Sequence, residues 1–171
     1  MRPLPARLGP RPRTQRTLPH RQLDQWPAIE LIHMIGERSL RLPNVRSKES
    51  RLASPETLAL WLPDDIALGP REAFIDGHEF CHLHPSPEGS LHLTLPQATR
   101  RQAIAFGWAE RHPSVEAGIM PETLVMVYGP RNEDEIRCVL RLVIASHQFA
   151  QGVLSEQGDS AGPLPDGISI L

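Results

Sequence analysis

The chain carries only two cysteines, Cys81 and Cys138, in 171 residues, and no C-x-x-C pair. This excludes a disulfide framework and a thiolate zinc site, and it fits a reducing, cytoplasmic compartment. No apolar run is long enough to cross a membrane, so no membrane span is expected. A formal net charge of -2 supplies no global field for nucleic acid, which is not an expected partner. There is no internal repeat. Before Asp24 there is no acidic residue either, while Arg2, Arg7, Arg11, Arg13, Arg16 and Arg21 are interrupted by Pro3, Pro5, Pro10, Pro12 and Pro19. Such a segment cannot be a helix and lacks the apolar stretch of a secretory signal. Residues 1–21 are therefore read as a disordered basic Arg/Pro tail.

What remains is long enough to bury one core without cross-links. Residues 28–40 repeat apolar side chains at helical spacing up to Gly36 and Pro43. Residues 57–62 alternate as a strand, and residues 78–93 read as two strands joined by Pro85-Ser86-Pro87-Glu88-Gly89. The stretch ATRRQAIAFGW, from residue 98, predicts a helix with Ala98, Ala105 and Phe106 inward, closing near Gly107. The stretch TLVMVY, 123–128, is apolar on both alternating faces and is expected as a central strand covered on both sides. Asn132, followed by three acids, caps a last helix whose face is Ile136, Val139, Leu140, Val143 and His147. Residues 22–155 are thus expected to form a single α+β domain, a mainly antiparallel sheet of about four strands with helices packed on it. Residues 156–171, rich in Gly, Ser and Pro, are read as a loose C-terminal tail.

Four of the eight histidines fall within residues 78–93. With a five-residue loop, His82 faces His92 and His84 faces Ser90 across the hairpin. Alternation puts His78, Phe80, His82, His84, Ser90, His92 and Thr94 on one face, and Cys81, Leu83, Leu91, Leu93 and Leu95 on the other. The leucine face is the core. The histidine face is either wet surface or, if the strand TLVMVY lies beside it, part of a pocket. In a pocket, His82, His84 and His92 are suited to hold a divalent metal, or one imidazole serves as a general base near neutral pH. The segment GWAERHP, 107–113, adds Trp108 as an aromatic wall, Arg111 as an anion partner and His112 as a proton carrier. Its bland reading is a helix end with Trp108 in the core and Arg111 solvated.

The blocks HLHPSPEGSLHL, GWAERHP and VYGPRNEDE, in this order and at this spacing, resemble the luciferase domain of fungal luciferases and of bacterial proteins carrying the same domain. The resemblance covers roughly residues 44–150. It implies an oxygenase that oxidises a hydroxylated styryl-pyrone with O2 as co-substrate, releasing CO2 and light, with no organic cofactor. By motif it carries over His82, His84, His92, Trp108, Arg111, His112, Pro113, Tyr128, Pro130, Arg131, Asn132 and Glu133. Among these, an imidazole removes the enolic proton, Arg111 stabilises the enolate, and Trp108, Tyr128 and Arg131 bind the substrate, although Arg131 is also placed to pair with the acids of the last helix. The chain is shorter than the fungal enzymes and lacks their apolar N-terminal segment, which leaves membrane attachment and the identity of the pyrone open. The competing expectations are a metal-dependent enzyme with a three-His site and a non-catalytic domain that binds a small aromatic ligand.

Overall fold

The structure, a computed structural model, describes residues 3–157. Its elements in chain order are α1 (Ile29–Leu40), β1 (Arg46–Lys48), β2 (Leu58–Trp61), a 3-10 turn (Arg71–Ala73), β3 (Glu79–Leu83), β4 (Leu91–Thr94), α2 (Gln97–Ala105), β5 (Ala109–Arg111), α3 (Pro113–Glu116), β6 (Leu124–Val127) and α4 (Glu133–Ala150). The strands make one antiparallel sheet in the order β1-β2-β3-β4-β6-β5. The architecture is the expected α+β, with six strands rather than about four. The two extra ones, β1 and β5, are three residues each, too short to show a period.

On one face of the sheet Cys81, Leu83, Leu91 and Leu93 enter the main core, together with Ile32 and Ile35 of α1 and Ile136, Val139, Leu142 and Val143 of α4. These helix positions recur at three and four residues, so each helix turns one apolar stripe to the leucines. The Asn132 side chain accepts the amide of Glu135 and starts α4 as its sequence predicts. All four residues of β6 are buried, as expected of a strand covered on both sides, but β6 lies next to the edge, between β4 and β5. In α2 the inward residues are Thr99 and Ala103, while Ala98, Ala105 and Phe106 face outward. With so few apolar residues in α2, its phase is decided by what it packs on and not by its own pattern. The segment after α2 is not only a helix end: it returns as β5, which lays GWAERHP along β6.

The largest departure concerns residues 1–21. The described part of this segment is no solvated tail; it lies along the domain as an extended arm. Leu4 is in the core. The Trp108 indole N–H donates to the Pro5 carbonyl at 2.7 Å. The Arg7 guanidinium sits over the rings of Trp108 and Tyr128 at 5.8 and 5.5 Å and donates to Glu135 Oε2 at 3.1 Å. Further along, Gln15 N–H donates to Arg21 O and Leu23 N–H to Arg13 O, folding residues 13–23 into a small hairpin. The physical reason is that an extended, proline-rich chain has little entropy to lose and carries backbone carbonyls that a domain surface can satisfy. An amphipathic pattern is not needed for that. Of the expected C-terminal tail, residues 158–171 lie outside the described residues.

The Arg7–Glu135 pair is buried, with side chains 2% and 8% exposed. Glu135→Ala strands the Arg7 cation and is expected to cost about 3–5 kcal/mol in urea unfolding. Arg7→Ala is expected to cost less, because Arg131 still bonds Glu135 through Nε at 2.8 Å.

Candidate functional site: a histidine-floored cavity

The face of the sheet opposite the leucines is not wet. It floors a cavity of about 640 Å³, a size suited to a small organic ligand. Leu18, Leu52, Ile119 and Met120 contribute apolar wall, and His20, His82, His84, His92 and His112 contribute the imidazoles. The hairpin pairs as expected, His82 opposite His92, with the His84 amide donating to Ser90 O at 2.9 Å. On its other side β4 pairs with β6, so the sheet continues past the hairpin. His92 is the centre: its ring centroid lies 5.0 Å from His82, 4.6 Å from both His84 and His112, and 5.3 Å from His20.

Three of the imidazoles are held by carboxylates. His82 Nδ1 donates to Glu79 Oε1 at 2.6 Å, His84 Nδ1 to Glu88 Oε1 at 2.7 Å, and His20 Nε2 to Glu110 Oε1 at 2.7 Å. A carboxylate only accepts, so the tautomers follow. His82 keeps its lone pair on Nε2 and accepts from His92 Nδ1 at 3.1 Å. That leaves the His92 lone pair on Nε2, a buried atom with no partner among the described residues. His112, the N-cap of α3, accepts the Ser114 amide on Nδ1.

Glu79, which no alternation rule selects, reaches the cluster because β3 contains a bulge. Leu60 pairs with Cys81 but Trp61 pairs with Glu79, so Phe80 is the extra residue. Phe80 turns to His147 of α4, in the core, and Glu79 turns to the face it would have opposed. His78, expected on the histidine face, stands outside it against Asp64 and Phe74. Thr94 donates to the Ala73 carbonyl. His20 was out of reach of any pattern, being a lone histidine in a segment without periodicity.

The other expected site residues lie elsewhere. Arg111 is 46% exposed and paired with Glu122, and it borders a second cavity of about 250 Å³ with Arg11 and Arg16. Trp108 and Tyr128 clasp Arg7, and Arg131 pairs with Glu135, the duller of its two expected roles, and donates to Leu8 O at 2.6 Å. The Tyr128 hydroxyl donates to Glu110 Oε2 at 3.0 Å and so steadies the carboxylate that holds His20. Three residues expected to bind substrate therefore bind the N-terminal arm. Among the described residues, the arginine in the lining of the large cavity is Arg21, also in the arm.

Burial favours the uncharged form of His82, His92 and His112. Desolvation, then the neighbouring His84, His82, His112 and His20, holds His92 well below its ordinary 6.5. Burial and the other imidazoles bring His112 down to about 4. For His82, burial outweighs the bond from Glu79 and the shift is also downward. Glu88 and Glu110 are partly desolvated, which raises their pKa, but hydrogen bonds from His84, Ser90 and Gln22 on one and from His20, Thr14 and Tyr128 on the other hold both below the usual carboxylate range.

The class defined by this fold and site is a small α+β domain with a histidine-floored ligand cavity. Comparison with known proteins adds a likeness: residues 77–146 match the family model of the luciferase domain, and the chain is similar to fungal luciferases over most of its described length. It is 28% identical to a luciferase of Armillaria mellea over 160 residues and 29% identical to one of Armillaria ostoyae over 164 residues, each match taking in 84% of this chain and 59% of the relative. With a luciferase of Neonothopanus nambi it shares 36% over 70 residues, 40% of this chain and 26% of that protein. The chain thus spans about three-fifths of the Armillaria proteins. No solved structure matches it. The matched segment contains His82, His84, His92 and His112 with all three carboxylates, while His20 precedes it.

A stability effect follows from His112. The unfolded ring protonates near 6.5 and the folded one near 4, so between these values the unfolded chain holds the extra proton. Unfolding free energy is expected to be full above pH 6.5 and to fall as pH drops to about 4, by about 1.4 kcal/mol per unit for this one group. His112→Asn keeps a cap for α3 and should flatten that slope, measured by urea unfolding with a chelator present.

Proposed function

We propose that the cavity is the active site of a luciferase-like oxygenase acting on a hydroxylated pyrone or a similar small enolic aromatic. The observation that supports this most is the placing of carboxylate-backed imidazoles on the floor of a largely apolar cavity, within the segment that resembles the luciferase domain. A planar enol fits such a space, its apolar rings against Leu18, Leu52 and Ile119 and its acidic hydroxyl on the histidines.

His84 is the base in this reading. Its Nδ1–H is bonded to Glu88, which leaves Nε2 to take the enolic proton and gives the imidazolium a counter-charge at 2.7 Å. Glu88 is itself fixed by the Ser90 hydroxyl at 2.6 Å and by the Gln22 amide of the arm at 3.0 Å. The enolate is the electron-rich species that O2 oxidises. Both oxygen atoms bond to the ring as a cyclic peroxide. Cleavage of its O–O bond, together with the lactone's C–C and C–O bonds to the ring, releases the lactone carbon as CO2, leaves a ring-opened dicarbonyl, and lets the His84 imidazolium return its proton. Light is the output when that step leaves the product excited. Arg21, which lines the cavity, takes the charge-stabilising role expected of Arg111. Apolar walls keep water from the peroxide.

The test is incubation with a hydroxylated styryl-pyrone while oxygen uptake and light are recorded. Turnover is expected in the parent, and His84→Ala should lower it by about a hundred- to ten-thousandfold with the fold intact. Arg111→Lys should leave it near normal. No oxygen uptake by the parent, or near-normal uptake by His84→Ala, would overturn the reading.

A further inference from the structure

The trio expected to hold a metal, His82, His84 and His92, does bring a ligand atom from each residue within 4.8 Å of the others. Its facing nitrogens, however, already serve each other: His92 Nδ1 donates to His82 Nε2. A second trio meets the same distance condition, His20, His92 and His112, all three buried. Among the described residues, two histidine ring nitrogens are buried with no hydrogen-bond partner, His20 Nδ1 and His92 Nε2, and both belong to this second trio.

We infer that His20, His92 and His112 form a binding site for a divalent first-row transition-metal ion, with the N-terminal arm supplying one ligand. The hydrogen bonds on the far side of the His20 and His92 rings fix which nitrogen each offers. Glu110 takes the Nε2–H of His20, and Tyr128 steadies Glu110 from its other oxygen. His82, held in turn by Glu79, takes the Nδ1–H of His92. Metal-bound histidines commonly have their other nitrogen bonded in this way, because it sets the tautomer and makes the ligand more basic. His112 completes the set through Nε2, exchanging the 3.2 Å bond from the Ser114 amide for the ion. Three nitrogens bound to a tetrahedral ion at about 2.0–2.1 Å sit roughly 3.3 Å apart, so the rings must close in slightly. His20 lies on an arm held by side-chain and backbone hydrogen bonds rather than in a helix, and can give that movement. Neutral imidazoles suit zinc, iron, nickel or copper, and no thiolate is near. Since all three residues line the large cavity, the ion's remaining position faces the ligand space.

The site requires neither pyrone nor oxygen, so it stands or falls apart from the oxygenase reading. The full chain, stripped with a chelator, is titrated with Co2+ while its visible d–d bands are followed, then back-titrated with Zn2+. One equivalent is expected to bind, with the bands of a four-coordinate nitrogen site. His20→Ala and His112→Asn should each weaken binding at least tenfold, and Glu110→Gln by about ten- to hundredfold, while His84→Ala leaves it unchanged. His112→Asn keeps the α3 cap, so it decides the matter even if His20→Ala releases the arm. Unchanged affinity in His112→Asn, loss of affinity in His84→Ala, or no stoichiometric binding by the parent would each overturn the site.

Discussion

The Arg7 guanidinium, laid over Trp108 and Tyr128 and bonded to Glu135 and to the Gly129 carbonyl, is the contact on which the site depends. It desolvates a cation, which is favourable only with a close counter-charge and good hydrogen bonds. Both come from the loop and first turn of α4, whose acids were already placed there by the helix dipole. Once Arg7 is seated, the following residues run past α2 and β5, where Arg11 donates to the carbonyls of Ile104 and Ala109, and the arm delivers His20, Arg21 and Gln22 to the cavity. Gln22 then bonds Glu88 through its amide and Gly129 through its side chain, tying the hairpin loop to the start of α4. One wall of the cavity is thus a segment with no helix or strand of its own.

Five imidazoles in one space would repel each other if charged, and burial makes charging costly in any case. The structure resolves this by keeping His92 neutral at the centre and by giving three of its neighbours a carboxylate. The result is a set of nitrogen lone pairs with fixed directions inside an apolar enclosure. Such a set can accept a proton from an acidic ligand or coordinate an ion, and the bulge at Phe80 is what lets Glu79 serve it. A strictly regular strand would have buried Glu79 among the leucines.

Much of this was legible from residues alone. Period two across Cys81–Leu83 and Leu91–Leu95 separated a core face from a histidine face, and a five-residue loop brought His82 opposite His92. The doubly apolar LVMV of β6 implied that the histidine face was covered. Asn132 and its acids marked the start of α4. What failed did so for identifiable reasons. Parity could not foresee one extra residue at Phe80, so His78 and Phe80 were put on the wrong face. The α2 phase was misread because Ala and a lone Phe106 are weak markers. Arg111, Trp108, Tyr128 and Arg131 looked like substrate residues because they are aromatic or cationic and near the histidines in sequence, and chemistry of type does not reveal direction.

The sequence by itself determined the sheet pairing of the hairpin, the leucine core and the gathering of His82, His84 and His92, because these rest on local periodicity that any strand or helix obeys. Only the tertiary structure decided that residues 3–25 form an arm, that His20 joins the cluster, and that Trp108 and Tyr128 face Arg7. Those contacts join Arg7 to Glu135 and His20 to Glu110 across about a hundred or more residues of chain. No periodic pattern encodes them; they follow from which buried carboxylate finds which cation or imidazole once the sheet is closed.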